Sequence, residues 1–228
     1  HGPLGELLGA EALLRWRHPT AGLILPDSFI PSAERNGFIG KLGMRVLEIV
    51  AQHWAHSLEW LLGTDTQLAL NLSPVQLCDL AFVDRLIEEI DASGLPRRNV
   101  AFEITETALI ENREMAIARM HLLKEFGFSL LLDDFGTGYS SLSDLLQLPV
   151  DGVKIDRSFV QRLPTCRRSQ AIVEATIHMA EQLGLTVTAE GVETDAQHNC
   201  LINRGCTRFQ GYLFSRPQSF PQLVRNLS

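Results

Sequence analysis

The sequence lacks the patterns typical of disulfide-stabilised, zinc-binding and membrane-spanning proteins. Its four cysteines, Cys78, Cys166, Cys200 and Cys206, form no CxxC pair and have no suitably spaced histidine partner. We therefore predict free, mostly packed thiols in a reducing cytoplasm. The longest apolar runs fall far short of the ~20 residues that a membrane span needs. The first residues show no signal peptide, which would have a basic region followed by an apolar one.

An excess of positive charge is also absent from this chain. The formal net charge of −7 argues against binding of a DNA or RNA polymer through a basic surface. A phosphate-containing substrate remains compatible with this charge if metal ions reverse the local sign. A hydrophobic content of 45% is ordinary for a globular protein with a substantial core. We expect residues 1–228 to form one domain that makes no contact with a membrane.

Predicted strands alternate with predicted helices along the chain. We expect strands over residues 5–14, 67–72, 100–105, 128–134, 148–156, 185–189 and 207–210. We expect long helices over residues 39–62, 79–92, 111–126, 166–183, 194–203 and 217–227, and a His18-Pro19 loop before a short helix that begins at Pro26-Asp27-Ser28. The alternation predicts a parallel sheet covered by helices. About seven strands fit either a barrel one strand short of eight or a doubly wound open sheet.

One stretch combines a buried strand with two adjacent carboxylates. Asp133 and Asp134 follow an apolar run and precede Gly136 and Gly138. Adjacent side chains in a regular strand point to opposite faces, so the backbone must turn if both are to reach one site, and the glycines permit this turn. Two such carboxylates repel each other unless a cation or a proton intervenes. An ordinary helix-capping Asp-Gly loop is the alternative interpretation.

Polar residues recur at the carboxyl end of nearly every predicted strand. They are Glu11, Asn71, Glu103, Glu106, Asp133, Asp134, Lys154, Asp156, Glu190 and Gln210. A barrel gathers such residues around one mouth, whereas an open sheet gathers only those near its switch point, so the pattern favours a barrel. Carboxylates that outnumber Lys154 need cations when they point into an apolar interior. Ligands that are all oxygen suit Mg²⁺ or Mn²⁺. The pattern therefore predicts metal-dependent phosphoryl or enolate chemistry. The alternative interpretation is a set of helix-capping and loop acids without a shared site.

The motifs at these strand ends resemble a known family. They read Glu11-Ala12-Leu13-Leu14-Arg15-Trp16, Asn71-Leu72-Ser73, Glu103-Ile104-Thr105-Glu106, Asp133-Asp134-Phe135-Gly136-Thr137-Gly138, Lys154-Ile155-Asp156, Glu190-Gly191-Val192-Glu193 and Gln210-Gly211-Tyr212-Leu213-Phe214. In this order, and over almost the whole chain, they are similar to the EAL domain family of bacterial cyclic di-GMP phosphodiesterases. Glu-Ala-Leu by itself would be a chance tripeptide, but seven motifs in order are a specific signal.

The resemblance implies an α/β fold, a modified TIM-like (β/α)8 barrel with one antiparallel strand. The family normally opens with an extra strand that carries a Tyr-Gln-Pro motif, whereas only five residues precede Glu6 here. We therefore expect that first strand to be missing, either because the chain is cut late from a longer protein or because the barrel is closed by other means, such as a partner chain. The resemblance further implies a homodimer, a cytoplasmic location, and linked sensor or GGDEF domains in a longer signalling protein.

The resemblance also assigns roles to individual residues. Its implied metal ligands are Glu11, Asn71, Glu103, Asp133, Asp134 and Glu190. Its implied catalytic residues are Lys154 beside the nucleophilic water, Glu190, Glu106 holding the loop after Asp134, and Gln210 on the far side of the site. Its implied substrate-binding residues are Arg15, whose planar fork suits a phosphate, Leu14, Asn71 and Gln210.

The reaction implied is hydrolysis of one phosphodiester of cyclic di-GMP to linear pGpG by a water that two Mg²⁺ or Mn²⁺ ions activate. Either Lys154 or Glu190 would assist as the proton acceptor. The alternative function is a catalytically silent receptor that binds cyclic di-GMP and signals to a partner. Silent relatives usually lose several metal ligands, and this chain keeps them all. An enolase-like lyase has only the number of acids in its favour, and the order of the motifs argues against it.

Overall fold

The computed structural model describes residues 1–54, 66–108, 112–137 and 145–227. Within them, seven parallel strands form one sheet in the order β1-β4-β5-β6-β7-β8-β9, and β2 pairs with β3 in a separate antiparallel hairpin. The strands are β1 Gly9–Ala12, β2 Trp16–His18, β3 Gly22–Ile24, β4 Gln67–Asn71, β5 Val100–Thr105, β6 Ser129–Phe135, β7 Gly152–Ile155, β8 Thr186–Ala189 and β9 Arg208–Phe209.

Among the described residues, helices follow each sheet strand except β6. They are α1 Ile30–Arg35, α2 Ile39–His53, α3 Pro74–Cys78, α4 Leu80–Ser93, α5 Arg113–Glu125, α6 Arg157–Val160, α7 Arg167–Gln182, α8 Asp195–Ile202 and α9 Phe220–Leu227. Short 3₁₀ turns occupy Pro26–Ser28 and Arg97–Asn99. Among the described residues, no helix has both the length and the apolar character that crossing a bilayer requires.

The sheet curls until its first and last strands approach each other. The Gln210 side chain, just beyond β9, donates a hydrogen bond to Glu11 of β1 over 2.6 Å. Nearer the amino ends of the strands, Arg208 of β9 donates to the side chain of Gln67 in β4 over 3.0 Å. The α/β fold-class prediction is confirmed, because a curled sheet of seven parallel strands is a TIM-like barrel with one strand fewer than eight.

The outer edge of β9 carries a short antiparallel contact. The backbone nitrogen of His1 donates to the carbonyl of Phe209, and the nitrogen of Phe209 donates to the carbonyl of His1, both over 2.8 Å. Such a reciprocal pair is the antiparallel pattern. It satisfies backbone groups that an edge strand otherwise leaves open.

The core lies between the sheet and the helices around it. Phe82, Leu86 and Ile90 of α4 lie four residues apart, which puts them on one helix face, and all three are buried. That face packs in one apolar cluster with strand residues such as Phe102 and Ile104. The polar strand-end residues lie outside this apolar core, at the mouth of the barrel where the carboxyl ends of the strands meet.

Side-chain caps start helices close to the carboxyl ends of the strands. Ser73 and Gln76 form a capping box at the start of α3, and Thr194 and Gln197 form another at the start of α8. Asp156 caps α6 by accepting a hydrogen bond from the backbone nitrogen of Ser158. Since these caps fix where each helix begins, they also fix the short loops that carry the site.

The structure corrects some local predictions. The predicted His18-Pro19 loop is the turn of the β2–β3 hairpin, whose three-residue strands are too short to show an alternating pattern. The predicted strand over residues 5–14 is a strand only at Gly9–Ala12. Of the helix predicted over residues 39–62, residues 55–62 lie outside the described part of the chain, as do residues 138–141 of the loop after Asp134.

Candidate active site

A buried lysine at the mouth of the barrel is surrounded by four carboxylates, each on or next to a different strand. The Lys154 side chain, on β7, is 2% exposed. Its Nζ lies 2.6 Å from Glu190 and 2.7 Å from Glu103. It also lies 3.3 Å from Asp133 and 3.7 Å from Glu11. The sheet therefore brings four of the six predicted metal ligands around one ammonium group, and we call these five side chains the Lys154 cluster.

The electrostatics of the Lys154 cluster follow from burial and from this crowding. Burial alone would lower the pKa of Lys154, but the carboxylates, led by Glu103 and Glu190, raise it well above its ordinary value. Burial raises the pKa of Glu103 well above its usual range, and Glu11 and Asp133 add to the effect while Lys154 opposes it. Burial likewise raises the pKa of Glu190 to about 7 against the influence of Lys154. Lys154 thus stays charged at neutral pH, while burial favours the protonated forms of Glu103 and Glu190.

Glu11 joins the two sides of the barrel mouth. Its carboxylate accepts hydrogen bonds from the amide of Asn71 over 2.7 Å and from the amide of Gln210 over 2.6 Å. Burial opposes ionisation of Glu11, but the charge of Lys154 and these two hydrogen bonds bring its pKa below the ordinary value. Glu11 is therefore held in its charged form.

The backbone of β6 turns at Asp134, which lets adjacent carboxylates serve one site. The pairing of β6 with β7 is irregular between Leu132 and Phe135. Asp134 has a φ of +55°, an uncommon conformation for a residue other than glycine. The turn predicted from the sequence is present, but Asp134 itself makes it, together with Gly136 at φ +92°. Gly138 lies outside the described residues.

The acidic residues around this turn fit a divalent cation. One ligand oxygen each from Asp133, Asp134 and Glu190 lies within 4.8 Å of the other two. Burial raises the pKa of Asp134, and Asp133 and Asp156 add to the effect while Lys154 and Arg157 oppose it. Donors that are all oxygen are the set that Mg²⁺ and Mn²⁺ prefer. Asp156 is one of the polar strand-end residues to which the sequence motifs assign no role, and in the structure it caps α6.

Glu106 lies behind this turn rather than in the Lys154 cluster. The side chain is buried, and its Oε1 accepts a hydrogen bond from the backbone nitrogen of Gly136 over 3.3 Å. Its Oε2 has no hydrogen-bond partner among the described residues. Glu106 therefore contacts the segment after Asp134, where the sequence prediction put it.

Two predicted substrate-binding residues lie apart from the cluster. Arg15 is half-buried and donates a hydrogen bond over 2.8 Å to the carbonyl of Leu14. Within the described residues, no ion pair joins Arg15 to a carboxylate of the cluster. Both residues lie between β1 and the β2–β3 hairpin, immediately after the strand that carries Glu11.

Comparison with known proteins places this geometry in a family. The sequence matches the EAL domain family over residues 4–217. The chain belongs to the EAL domain family. The EAL motifs quoted above supply every residue of the Lys154 cluster, which is why sequence motifs far apart along the chain meet at one site.

Similar EAL proteins include phosphodiesterases of Pseudomonas aeruginosa. The chain is 43% identical over 213 residues to the cyclic di-GMP phosphodiesterase NbdA, covering 93% of this chain and 27% of NbdA. It is 38% identical over 220 residues to the cyclic di-GMP phosphodiesterase RocR, covering 93% of this chain and 54% of RocR. The chain thus spans about half or less of these curated relatives.

Solved EAL structures share the fold. A structure described as the PaMucR phosphodiesterase in complex with c-di-GMP has a TM-score of 0.89 and 36% sequence identity, covering 97% of this chain and 90% of that one. The corresponding curated protein MucR is from Pseudomonas aeruginosa and is described as a bifunctional diguanylate cyclase and cyclic di-GMP phosphodiesterase. The EAL enzyme Bd1971 bound to cAMP and cyclic di-GMP has a TM-score of 0.90 and 29% identity, covering 100% of this chain and 62% of that one.

Proposed function

We propose that this EAL domain hydrolyses one phosphodiester of cyclic di-GMP to linear pGpG in a reaction that depends on divalent metal ions. The observation that carries the proposal is the Lys154 cluster, in which four carboxylates face one ammonium group at the mouth of the barrel. Relatives named cyclic di-GMP phosphodiesterases support the substrate. The solved complex of PaMucR with c-di-GMP supports recognition of the same dinucleotide by this fold.

The residues that would hold metal ions are Glu11, Asn71, Glu103, Asp133, Asp134 and Glu190. They supply only oxygen ligands, and three of them, Asp133, Asp134 and Glu190, already approach one another within 4.8 Å. When bound, Mg²⁺ or Mn²⁺ ions supply a nucleophile at neutral pH and offset negative charge on the phosphate. A set of four carboxylates that shares one lysine leaves negative charge for such cations to balance.

Side chains of the domain itself orient the carboxylates, accept a proton, position the backbone and bind phosphate. Lys154 Nζ keeps its proton among four carboxylates, so it donates hydrogen bonds and orients Glu190 and Asp133. Proton acceptance therefore falls to Glu190 rather than to Lys154. Glu106 holds the backbone at Gly136, which fixes the segment that follows Asp134. Arg15 lies just beyond the Glu11 strand, where a planar guanidinium suits a phosphate oxygen.

Product analysis tests the proposal. The domain is incubated with cyclic di-GMP in Mn²⁺, in Mg²⁺ and in EDTA, and the nucleotides are separated by chromatography. We expect conversion to pGpG with either metal ion and none in EDTA. A folded protein that binds the dinucleotide but leaves it uncut in both metals would overturn the proposal and indicate a receptor. Turnover in EDTA would refute the role of the metal.

The wider context of the domain stays a prediction. The chain covers 27% of NbdA and 54% of RocR, so additional sensor or GGDEF domains are inferred from the greater length of such relatives. The homodimer, the cytoplasmic location and the single-domain organisation likewise stay predictions. Size-exclusion chromatography with light scattering on the purified domain measures the first of these directly.

A further inference from the structure

The loops that follow β8 and β9 are joined by backbone hydrogen bonds at one buried residue. The nitrogen of Val192 donates to the carbonyl of Gln210 over 3.1 Å, and the nitrogen of Leu213 donates to the carbonyl of Val192 over 3.0 Å. Val192 is fully buried. We call this pair of hydrogen bonds the Val192 clamp. Gly211 lies between Gln210 and Leu213, the two residues of the second loop that form hydrogen bonds with Val192.

Gly211 has no room for a side chain. A Cβ atom at this position would lie 2.1 Å from the carbonyl oxygen of Val192, 2.4 Å from its nitrogen and 2.7 Å from its carbonyl carbon. Non-bonded carbon atoms prefer separations of about 3.5–4.0 Å, so these contacts are severe overlaps. All three neighbouring atoms are backbone atoms of a buried residue, so rotating a side chain cannot relieve them. The clamp can close only because residue 211 is glycine.

Both sides of the clamp carry residues of the candidate active site. Gln210 comes immediately before Gly211 and donates its side-chain amide to Glu11 over 2.6 Å. Glu190 comes two residues before Val192 and lies 2.6 Å from Lys154 Nζ. Any shift that separates Val192 from residue 211 therefore moves Gln210 relative to Glu11, and Glu190 relative to Lys154.

We propose that Gly211 is a positioning residue, whose missing side chain lets the Val192 clamp set Gln210 and Glu190 in register across the barrel mouth. The role of these two residues in hydrolysis rests on the function proposed above. Gly211 itself acts through them, because its own contacts are with the backbone of Val192. Misplacement of site groups by about 1 Å costs about 100-fold in rate, which sets the size of the expected effect.

The test compares Gly211→Ala with Gly205→Ala. Gly205, in the turn before β9, has a φ of +88°, and a Cβ there would meet only Ile177 at an ordinary 3.8 Å. Alanine at 205 therefore strains the backbone without moving the clamp, which makes it the control for a general loss of stability. We expect Gly211→Ala to keep the circular dichroism spectrum of the folded barrel and to lose about 100-fold in kcat. Gly205→Ala should retain kcat within about threefold despite a lower Tm.

A second readout needs neither metal nor turnover. The side-chain amide of Gln210 is followed by ¹⁵N-¹H NMR, with its signals assigned by their loss in Gln210→Glu. We expect these signals to shift in Gly211→Ala and to remain in place in Gly205→Ala. In kinetics, Gly211→Ala should cost little in a Gln210→Ala background, because two changes that act through one contact are not additive.

Three results decide against the positioning role. The first is an unshifted Gln210 amide in folded Gly211→Ala, and the second is a rate loss that adds fully to that of Gln210→Ala. The third is a Gly211→Ala protein that fails to fold while Gly205→Ala folds, since that would assign the glycine to folding of the whole barrel. A wild-type domain without turnover would refute the proposed function, yet the NMR comparison would still decide the role of Gly211.

Discussion

Replacing Lys154 by methionine should destabilise the metal-free domain strongly. The change removes the only ammonium group within reach of Glu11, Glu103, Asp133 and Glu190 in the described structure, at a side chain that is 2% exposed. Removing one partner of a buried ion pair typically costs about 3–5 kcal/mol. Although Lys154 contacts four carboxylates, we expect a total loss of stability close to the value for one pair and not four times that value. Carboxylates left without a cation take up protons instead.

The assay is thermal unfolding followed by circular dichroism at pH 8 in EDTA. A loss of about 3–5 kcal/mol corresponds to a fall in Tm of roughly 6–20 °C for a domain of this size. The matched control is Lys124→Met, because Lys124 pairs with Asp151 where the two side chains are 32% and 39% exposed. Such an exposed pair contributes about 0–1 kcal/mol, which corresponds to at most a few degrees.

The pH and metal dependence of the Lys154→Met variant add two checks. Burial raises the pKa of Glu103 and of Glu190 in the folded state, and Lys154 opposes this. Without Lys154, the fold is therefore more stable when these two groups are protonated and loses stability as pH rises. The deficit in Tm should therefore shrink from pH 8 to pH 5. Mn²⁺ should restore part of it at pH 8 by supplying positive charge. A fall in Tm no larger than that of Lys124→Met would refute the electrostatic reasoning.

Three further predictions concern single side chains. Glu106→Ala should lower kcat at least about tenfold, because it removes the oxygen that accepts the hydrogen bond from the Gly136 backbone nitrogen; a rate equal to wild type would contradict this. Burial raises the pKa of Glu190 from 4.5 to about 7, so the folded state binds this proton more tightly than the unfolded state and loses stability as pH rises from 4.5 to 7. Glu190→Gln should remove that part of the pH dependence of Tm, and an unchanged profile would contradict this prediction. Burial raises the pKa of the Cys206 thiol to about 11, so Ellman's reagent at pH 8 should leave Cys206 unmodified in the folded domain and modify it in denaturant; rapid labelling of folded protein would contradict this burial.

Much of the barrel could be predicted from the sequence because its signals are local. Apolar runs bounded by helix caps and glycines located the strands, as at Gln67–Asn71 and Val100–Thr105, which match their predicted positions almost residue for residue. Polar residues at the strand ends then indicated one mouth, since parallel strands of a barrel all end there. The curled sheet with seven strands follows the same reasoning.

The details of the site depend on packing between distant segments, which no local pattern reveals. Asp134 adopts its left-handed conformation where the pairing of β6 with β7 is irregular, and no local pattern predicts this irregularity. The contact of Lys154 with four carboxylates depends on how tightly the sheet curls. Gly211 and Val192 lie in two separate loops, and no local pattern in either loop predicts their close approach.

The most direct test of the central claim is hydrolysis of cyclic di-GMP in Mn²⁺ by the wild type, by Asp133→Asn and by Asp84→Asn. Asp133 lies 3.3 Å from Lys154 and belongs to the acidic group that fits a cation, whereas Asp84 is exposed on α4. Loss of an outer partner of a metal ligand already costs about 10- to 100-fold, so we expect a loss of at least about 100-fold for Asp133→Asn. Asp84→Asn should hydrolyse cyclic di-GMP to pGpG at the wild-type rate. Equal rates for all three proteins would contradict the assignment of hydrolysis to this site.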